Sequence, residues 1–244
     1  TYDHTMTKKV INQNTKLNQE LINTIEPKFI FADKPINRFN ILETGNDAQQ
    51  INKEELLKNL KDQINSIENC KLKENSNKII LGEGNINSPL MLVGEAPGAE
   101  EEKLGVPFRG EVGELLGKML IAINIRRENI YTSYVVNFRP PDDRKPTSIE
   151  IKRYSVFLKE HISIIKPKII VLMGSSAMEA VTGISEKISA VRGHWKEVIL
   201  NNKTFPLMIT FNPSYLIRFP ENKKHSWEDL KKIRDKIKDL KLKI

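Results

Sequence analysis

This sequence predicts an α/β domain with a mainly parallel central sheet, on two observations. Short apolar runs alternate with helix-length amphipathic segments over residues 78–210, the pattern of βα units whose strands are buried on both faces. One run, Leu90–Val93, feeds directly into the glycine-rich turn Gly94-Glu95-Ala96-Pro97-Gly98, and in such sheets ligands bind beyond the carboxyl ends of the strands.

The runs read as strands are Lys78–Leu81, Leu90–Val93, Ile130–Val136, Lys168–Met173 and Pro206–Thr210. Between them, Leu115, Leu116, Met119, Leu120 and Ile123 form one helical stripe. Thr147 followed by Glu150 forms a capping box that opens a helix running to about Ile165. Before the first strand, Leu56, Leu57, Leu60, Ile64 and Ile67 predict a helix over Lys53–Ile67. At the other end Leu230, Ile233, Ile237, Leu240 and Ile244 form an apolar face, whose expected role is packing. Residues 1–50 are polar, with an apolar island only at Phe29–Ala32, and are expected to be a partly ordered extension of a domain over 51–244.

With 244 residues and 39% hydrophobic content, the chain can bury one sizeable core. The formal charge of +8 favours an acidic partner, nucleic acid above all, although a lysine-rich composition raises the charge without any binding patch. One cysteine, Cys70, excludes internal disulfides and is too few for a zinc or iron–sulfur site built on thiolates. No segment approaches the ~20 apolar residues of a membrane helix. A soluble, cytoplasmic monomer is expected, with no membrane partner. His4, His161, His194 and His225 have no ligand spacing, so no metal site is expected.

The chemistry concentrates in the loop from Gly94 to Gly110. The turn 94–98 is followed by Glu100-Glu101-Glu102 and then by Gly105-Val106-Pro107-Phe108-Arg109-Gly110. Phe108, on this stiff chain, reads as an exposed aromatic able to stack on a base, and the acidic run reads either as functional or as a solvated turn.

The stretch VGEAPGAEEEKLGVPFRGEVGELL, Val93 to Leu116, resembles the first motif of the family 4 uracil-DNA glycosylases. Further blocks follow in order: VVNFRPP at 135–141, KPKIIVLMG at 166–174, VRGHW at 191–195 and NPSYLIR at 212–218. The resemblance covers roughly Cys70 to the C-terminus. It implies a three-layer αβα sandwich that flips deoxyuridine out of DNA and hydrolyses its N-glycosidic bond. On it, Glu95, Glu101 and Asn212 are the catalytic candidates, with Glu95 or Glu101 orienting the water. Ala96, Pro97, Phe108, Tyr134 and Asn137 are candidates for the base, Arg139, Arg192, His194, Ser214, Tyr215 and Arg218 for DNA.

The sequence also departs from the family pattern. Of the four cysteines that commonly hold an iron–sulfur cluster only Cys70 is matched; Ile67, Phe138 and Arg153 or Tyr154 stand at the others, so no cluster is expected. Tyr134 stands where the family has an Asn that reads uracil through a paired amide contact, and one phenol cannot reproduce both bonds. Tyr134 reads equally as a core aromatic. Asn137 replaces that amide only if the backbone shifts, since it falls on the opposite strand face. Asn212 stands in place of a His that donates to the leaving base, and Asp143 in place of an Asn, adding negative charge with no evident reason. The expected activity is uracil removal with weakened or altered base specificity; the alternative is a catalytically degenerate DNA-binding protein of the same fold.

Overall fold

The computed structural model of the chain describes residues 52–76 and 78–244. The expectations for residues 1–50 lie outside the described residues. Helix α1 is Lys53–Asn65, opened by the Asn52 side chain, which accepts from Glu54 N–H at 3.1 Å. A single turn, α2, follows at Lys71–Glu74. Then come β1 Gly82–Gly84, β2 Leu90–Gly94, α3 Ala99–Leu104, α4 Gly110–Ile121 and β3 Tyr131–Tyr134. The second half runs α5 Ser148–Ile165, β4 Ile169–Met173, α6 Ser175–Thr182, α7 Ile188–Val191, β5 Trp195–Leu200, β6 Lys203–Thr210, α8 Pro213–Arg218 and α9 Lys223–Asp239.

The described strands form one six-stranded sheet in the order β1-β3-β2-β4-β6-β5. The four inner strands are mutually parallel, and each edge strand is antiparallel to its neighbour. Alternate side chains sort the two faces: Met91, Val93, Ile170, Leu172, Leu207 and Ile209 meet α1, α5 and α6. Leu90, Leu92, Ile169, Val171, Met173 and Met208 meet α4, α8 and α9. The molecule is therefore the three-layer αβα sandwich expected, and β2 and β4, buried along their whole length, show why their sequences lack polar alternation.

Two strand expectations change. Lys78–Leu81 is not a strand; its bond toward β3, from Ile80 N–H to Asn137 O at 2.8 Å, lies past the end of that strand, and the β1 ladder starts at Gly82 opposite Ser133. Edge strand β5 was not read from the sequence. It joins β6 through Asn201-Asn202, both at positive φ, as a two-residue hairpin of the observed twist requires. Pro206 pairs only with this edge strand, outside the β4 ladder, where its missing N–H interrupts no central bond. The last helix begins at Lys223, ahead of the apolar face that starts at Leu230; Leu230, Ile233 and Ile237 are buried, whereas Leu240 lies beyond it and is exposed.

One buried polar group makes the fold sensitive to acid. His161 of α5 is 2% exposed, with Tyr131 Oη 2.9 Å from Nε2 and Ser133 Oγ 3.3 Å from Nδ1. Burial pushes its pKa down to about 3, against 6.5 for the free side chain. As pH falls the unfolded chain takes this proton first, so the stability is whole above pH 6.5 and is lost progressively toward pH 3. One such proton gives a slope of up to ~1.4 kcal/mol per pH unit. Urea unfolding across that window should show stability falling with pH, and His161→Gln should remove about one proton's worth of the slope; an unchanged slope would assign the acid limb to other groups.

Candidate active site

A cavity of about 340 Å3 opens beyond the carboxyl ends of β2 and β6, within the ~300–1,000 Å3 usual for small-ligand clefts. Its walls come from the β2–α3 turn at 95–101, the segment 108–112, Tyr134 at the end of β3, the loop 143–146, and Asn212, Ser214 and Arg218 after β6. The two stretches singled out in the sequence thus converge on one space.

Glu95 and Asn212 meet at its floor, 9% and 7% exposed, where Asn212 Nδ2 donates to Glu95 Oε2 at 3.3 Å. The other carboxylate oxygen, Oε1, accepts from Ser176 N–H and Ser176 Oγ, both at 3.0 Å, and from Ser175 Oγ at 3.3 Å, all in the first turn of α6. Gly174 permits this docking: it sits at φ +104°, and a methyl group there would lie 2.4 Å from Glu95 Cδ. Asn212 is oriented by its second role as the N-cap of α8, its Oδ1 accepting from Ser214 N–H at 3.1 Å. The capping bond fixes the oxygen toward the helix, leaving the amide group for Glu95 and the cavity.

Glu101 is organised differently. It is 5% exposed; Oε2 accepts from Gly98 N–H at 3.0 Å, and Oε1 accepts from Arg109 N–H at 3.0 Å and from Tyr134 Oη at 3.3 Å. One carboxylate therefore ties both ends of the 98–109 loop to β3. Tyr134 Oη also accepts from Phe108 N–H at 2.9 Å, and burial holds the phenol well above its ordinary pKa. The Phe108 and Tyr134 rings pack with centroids 4.7 Å apart. Gly94 lies beneath both, where a methyl group would come within 2.7 Å of Phe108 Cζ. Phe108 is thus not the exposed aromatic expected: it is 1% exposed and held at φ +53°, its ring backing the cavity.

Ala96, Pro97, Ser214 and Arg218 line the cavity with these residues. Other candidates lie elsewhere. Asn137 is buried and its Nδ2 donates to Ile80 O at 2.9 Å, the opposite strand face having carried it away from the cavity. Arg192 is taken up by Asp229, its Nε donating to Oδ2 at 2.9 Å, and by the Phe211 ring. His194 is exposed, and Tyr215 stacks between Phe211 and Phe219. Arg139 grips Asp143 through Nε at 2.7 Å and Nη2 at 3.0 Å. That pair explains the Asp143 charge, which is neutralised inside the loop.

Three site residues were missed. Lys145 reaches Ser175 Oγ at 3.2 Å and stands 4.0 Å from Glu95 Oε1, while Ser175 and Ser176 anchor Glu95. Their signal was legible, since Gly174-Ser175-Ser176 follows an apolar strand as Gly94-Glu95-Ala96 does. Lys145 is fixed by its neighbour Arg144, which forms a two-pronged pair with Glu150 of the α5 capping box at 2.8 Å.

Fold and site together define an αβα protein with an aromatic-backed polar pocket at the carboxyl edge of its sheet. The family model of the Uracil DNA glycosylase superfamily matches residues 81–231. A Type-4 uracil-DNA glycosylase of Thermotoga maritima is 38% identical over 189 residues, 76% of this chain and 97% of the relative. Those of Sulfurisphaera tokodaii and Archaeoglobus fulgidus are 36% and 32% identical, covering 73% and 70% of this chain and 84% and 88% of theirs. The chain belongs to the uracil-DNA glycosylase superfamily, in its type-4 branch. No described helix is long and apolar enough to cross a membrane, and no described group of three His, Cys, Asp or Glu residues could hold a metal ion.

The geometry makes Glu101 a brace of the loop. Glu101→Ala strands the buried Tyr134 hydroxyl, at ~1–3 kcal/mol for a buried group left unpaired, and frees two half-buried backbone N–H groups. Urea unfolding should register a loss in that range or above; a loss below ~0.5 kcal/mol, ordinary for surface substitutions, would mean that the loop holds without it.

Proposed function

We propose that this protein flips uracil out of DNA and hydrolyses its N-glycosidic bond, acting as a monomer in the cytoplasm. The observation that carries the proposal is the Glu95–Asn212 pair at the floor of a cavity built by a single chain. As the bond breaks, positive charge grows on the sugar and negative charge on the departing base. The Glu95 carboxylate suits the first: its Oε2 accepts a single protein bond, so a lone pair remains for the attacking water. The remaining N–H of the Asn212 amide suits the second, donating toward the base O2. Phe108 and Tyr134 supply the apolar wall, and Arg218 and Lys145 the positive rim.

Tyr134 shapes base preference. Its hydroxyl donates to Glu101 and accepts from Phe108 N–H, leaving no donor for the O4 of uracil. The protein therefore selects uracil less sharply than the ~10⁴–10⁵ reached where paired polar contacts read the substrate. The family's iron–sulfur cluster does not fit these residues. Cys70 is the one cysteine in the chain, buried with its Sγ 3.3 Å from Tyr154 Oη, and Phe138, Ile67 and Tyr154 fill the surrounding core. We infer that this packing replaces the cluster, so purified protein should contain no stoichiometric iron or acid-labile sulfide; a full complement of either would refute the inference.

The activity is tested on single- and double-stranded oligonucleotides carrying one uracil, followed by alkali. The proposal expects strand scission at the uracil, falling ~10²–10³-fold in Asn212→Ala for the loss of one donor to developing charge. Asn212→Ser keeps a capping oxygen and withdraws the amide without setting a second carboxylate against Glu95, so a similar fall with thermal stability retained assigns the effect to chemistry. Salt-sensitive binding without any scission would instead favour a binding-only descendant.

A further inference from the structure

We infer a second nucleic-acid contact: a lysine-lined groove at the C-terminal end of α3 that holds the DNA backbone through its phosphates. The inference rests on the proposal that DNA is the substrate. The groove, about 440 Å3, is lined by Lys61 of α1, Lys73 of α2 and Lys78 in the approach to β1, with Asn65 and Ser76 as further polar groups. No carboxylate lines it among the described residues, and none of the three ammonium groups forms an ion pair with a described carboxylate.

Two of the lysines are held in place. Lys73 Nζ donates to Asn65 O, and Lys78 Nζ donates to Lys103 O at 3.1 Å. An ammonium has three N–H donors, so each keeps two for an anion. A phosphodiester entering the groove meets ammonium groups with free donors and releases its own condensed counterions as it binds. The nearby Glu102 is turned to other partners, accepting from Ser76 Oγ at 2.7 Å and from Arg139 at 3.2 Å.

The position of the groove favours DNA over a free anion. Helix α3 joins the two sites: Gly98 at its start lines the cavity, and Leu104 and Gly105 at its end line the groove. Six residues at ~1.5 Å each separate them by ~9 Å, the axial rise of two to three nucleotides of one strand at ~3.4 Å of duplex axis each. A strand whose base occupies the cavity therefore carries its neighbouring phosphates toward the lysines.

The test measures binding of a uracil-free duplex across a potassium chloride series, with uracil excision assayed in parallel. Replacing Lys61, Lys73 and Lys78 together by Gln should make the slope of log affinity against log salt shallower by at least ~1, about one phosphate contact, and weaken binding at low salt at least tenfold. The charge-matched control replaces Lys238, Lys241 and Lys243, exposed at the end of the chain beyond the opposite face of the sheet, and should keep the wild-type slope. If the two triple variants have the same slope, the groove inference is wrong. Stabilisation of wild type but not the groove variant by inorganic phosphate, with the DNA slope unchanged, would make it a small-anion site and also overturn the inference. Absence of excision by wild type would sink the glycosylase reading and leave the slope comparison intact.

Discussion

The bond from the Asn212 amide to the Glu95 carboxylate is the constraint on which the rest of the site depends. Glu95 follows β2 and Asn212 follows β6, and β4 lies between those strands in the sheet. Their side chains meet because the turn after β4 supplies Ser175 and Ser176 as anchors for the same carboxylate. Three consecutive parallel strands thus deliver their carboxyl ends to one oxygen pair. Such a floor forms only if the register of the inner sheet is fixed, and the full burial of β2 and β4 fixes it.

A second carboxylate does different work a few residues away. Glu101 closes the loop that forms the cavity wall, and through Tyr134 it locks the aromatic backing of that wall. The acidic side chains of the β2–α3 segment are therefore not interchangeable: Glu95 meets Asn212 at the cavity floor, and Glu101 satisfies backbone donors. The strained backbone of Phe108, of order 1–3 kcal/mol for a residue held at positive φ, persists because Gly94 beneath and Tyr134 beside it leave the ring one place to lie.

Most of the fold was legible in the sequence because buried parallel strands are short apolar runs and their helices carry clear stripes. The edge strand β5 was not, since its residues Lys196, Glu197 and Ile199 are half-exposed or exposed and carry no apolar alternation. Its Asn-Asn hairpin was the available signal. At the site, Glu95, Phe108, Tyr134 and Asn212 could be named from their motifs, but not which carboxylate braces the loop, because that depends on the partners chosen in space. Asn137 was drawn in by its nearness to Tyr134 and Arg192 by the VRGHW block; strand alternation and the buried Asp229 took them elsewhere.

The role of the Glu95–Asn212 floor is tested most directly by a crystal structure of the protein with an oligonucleotide carrying a 2′-fluoroarabino-uridine, whose glycosidic bond resists cleavage. That role predicts the uracil inside the cavity with O2 about 2.7–3.1 Å from Asn212 Nδ2, the range of a donor placed for developing charge, and Glu95 on the sugar side. A uracil bound outside the cavity, or inside it with Asn212 directed elsewhere, would contradict the assignment of this floor as the place where the bond breaks.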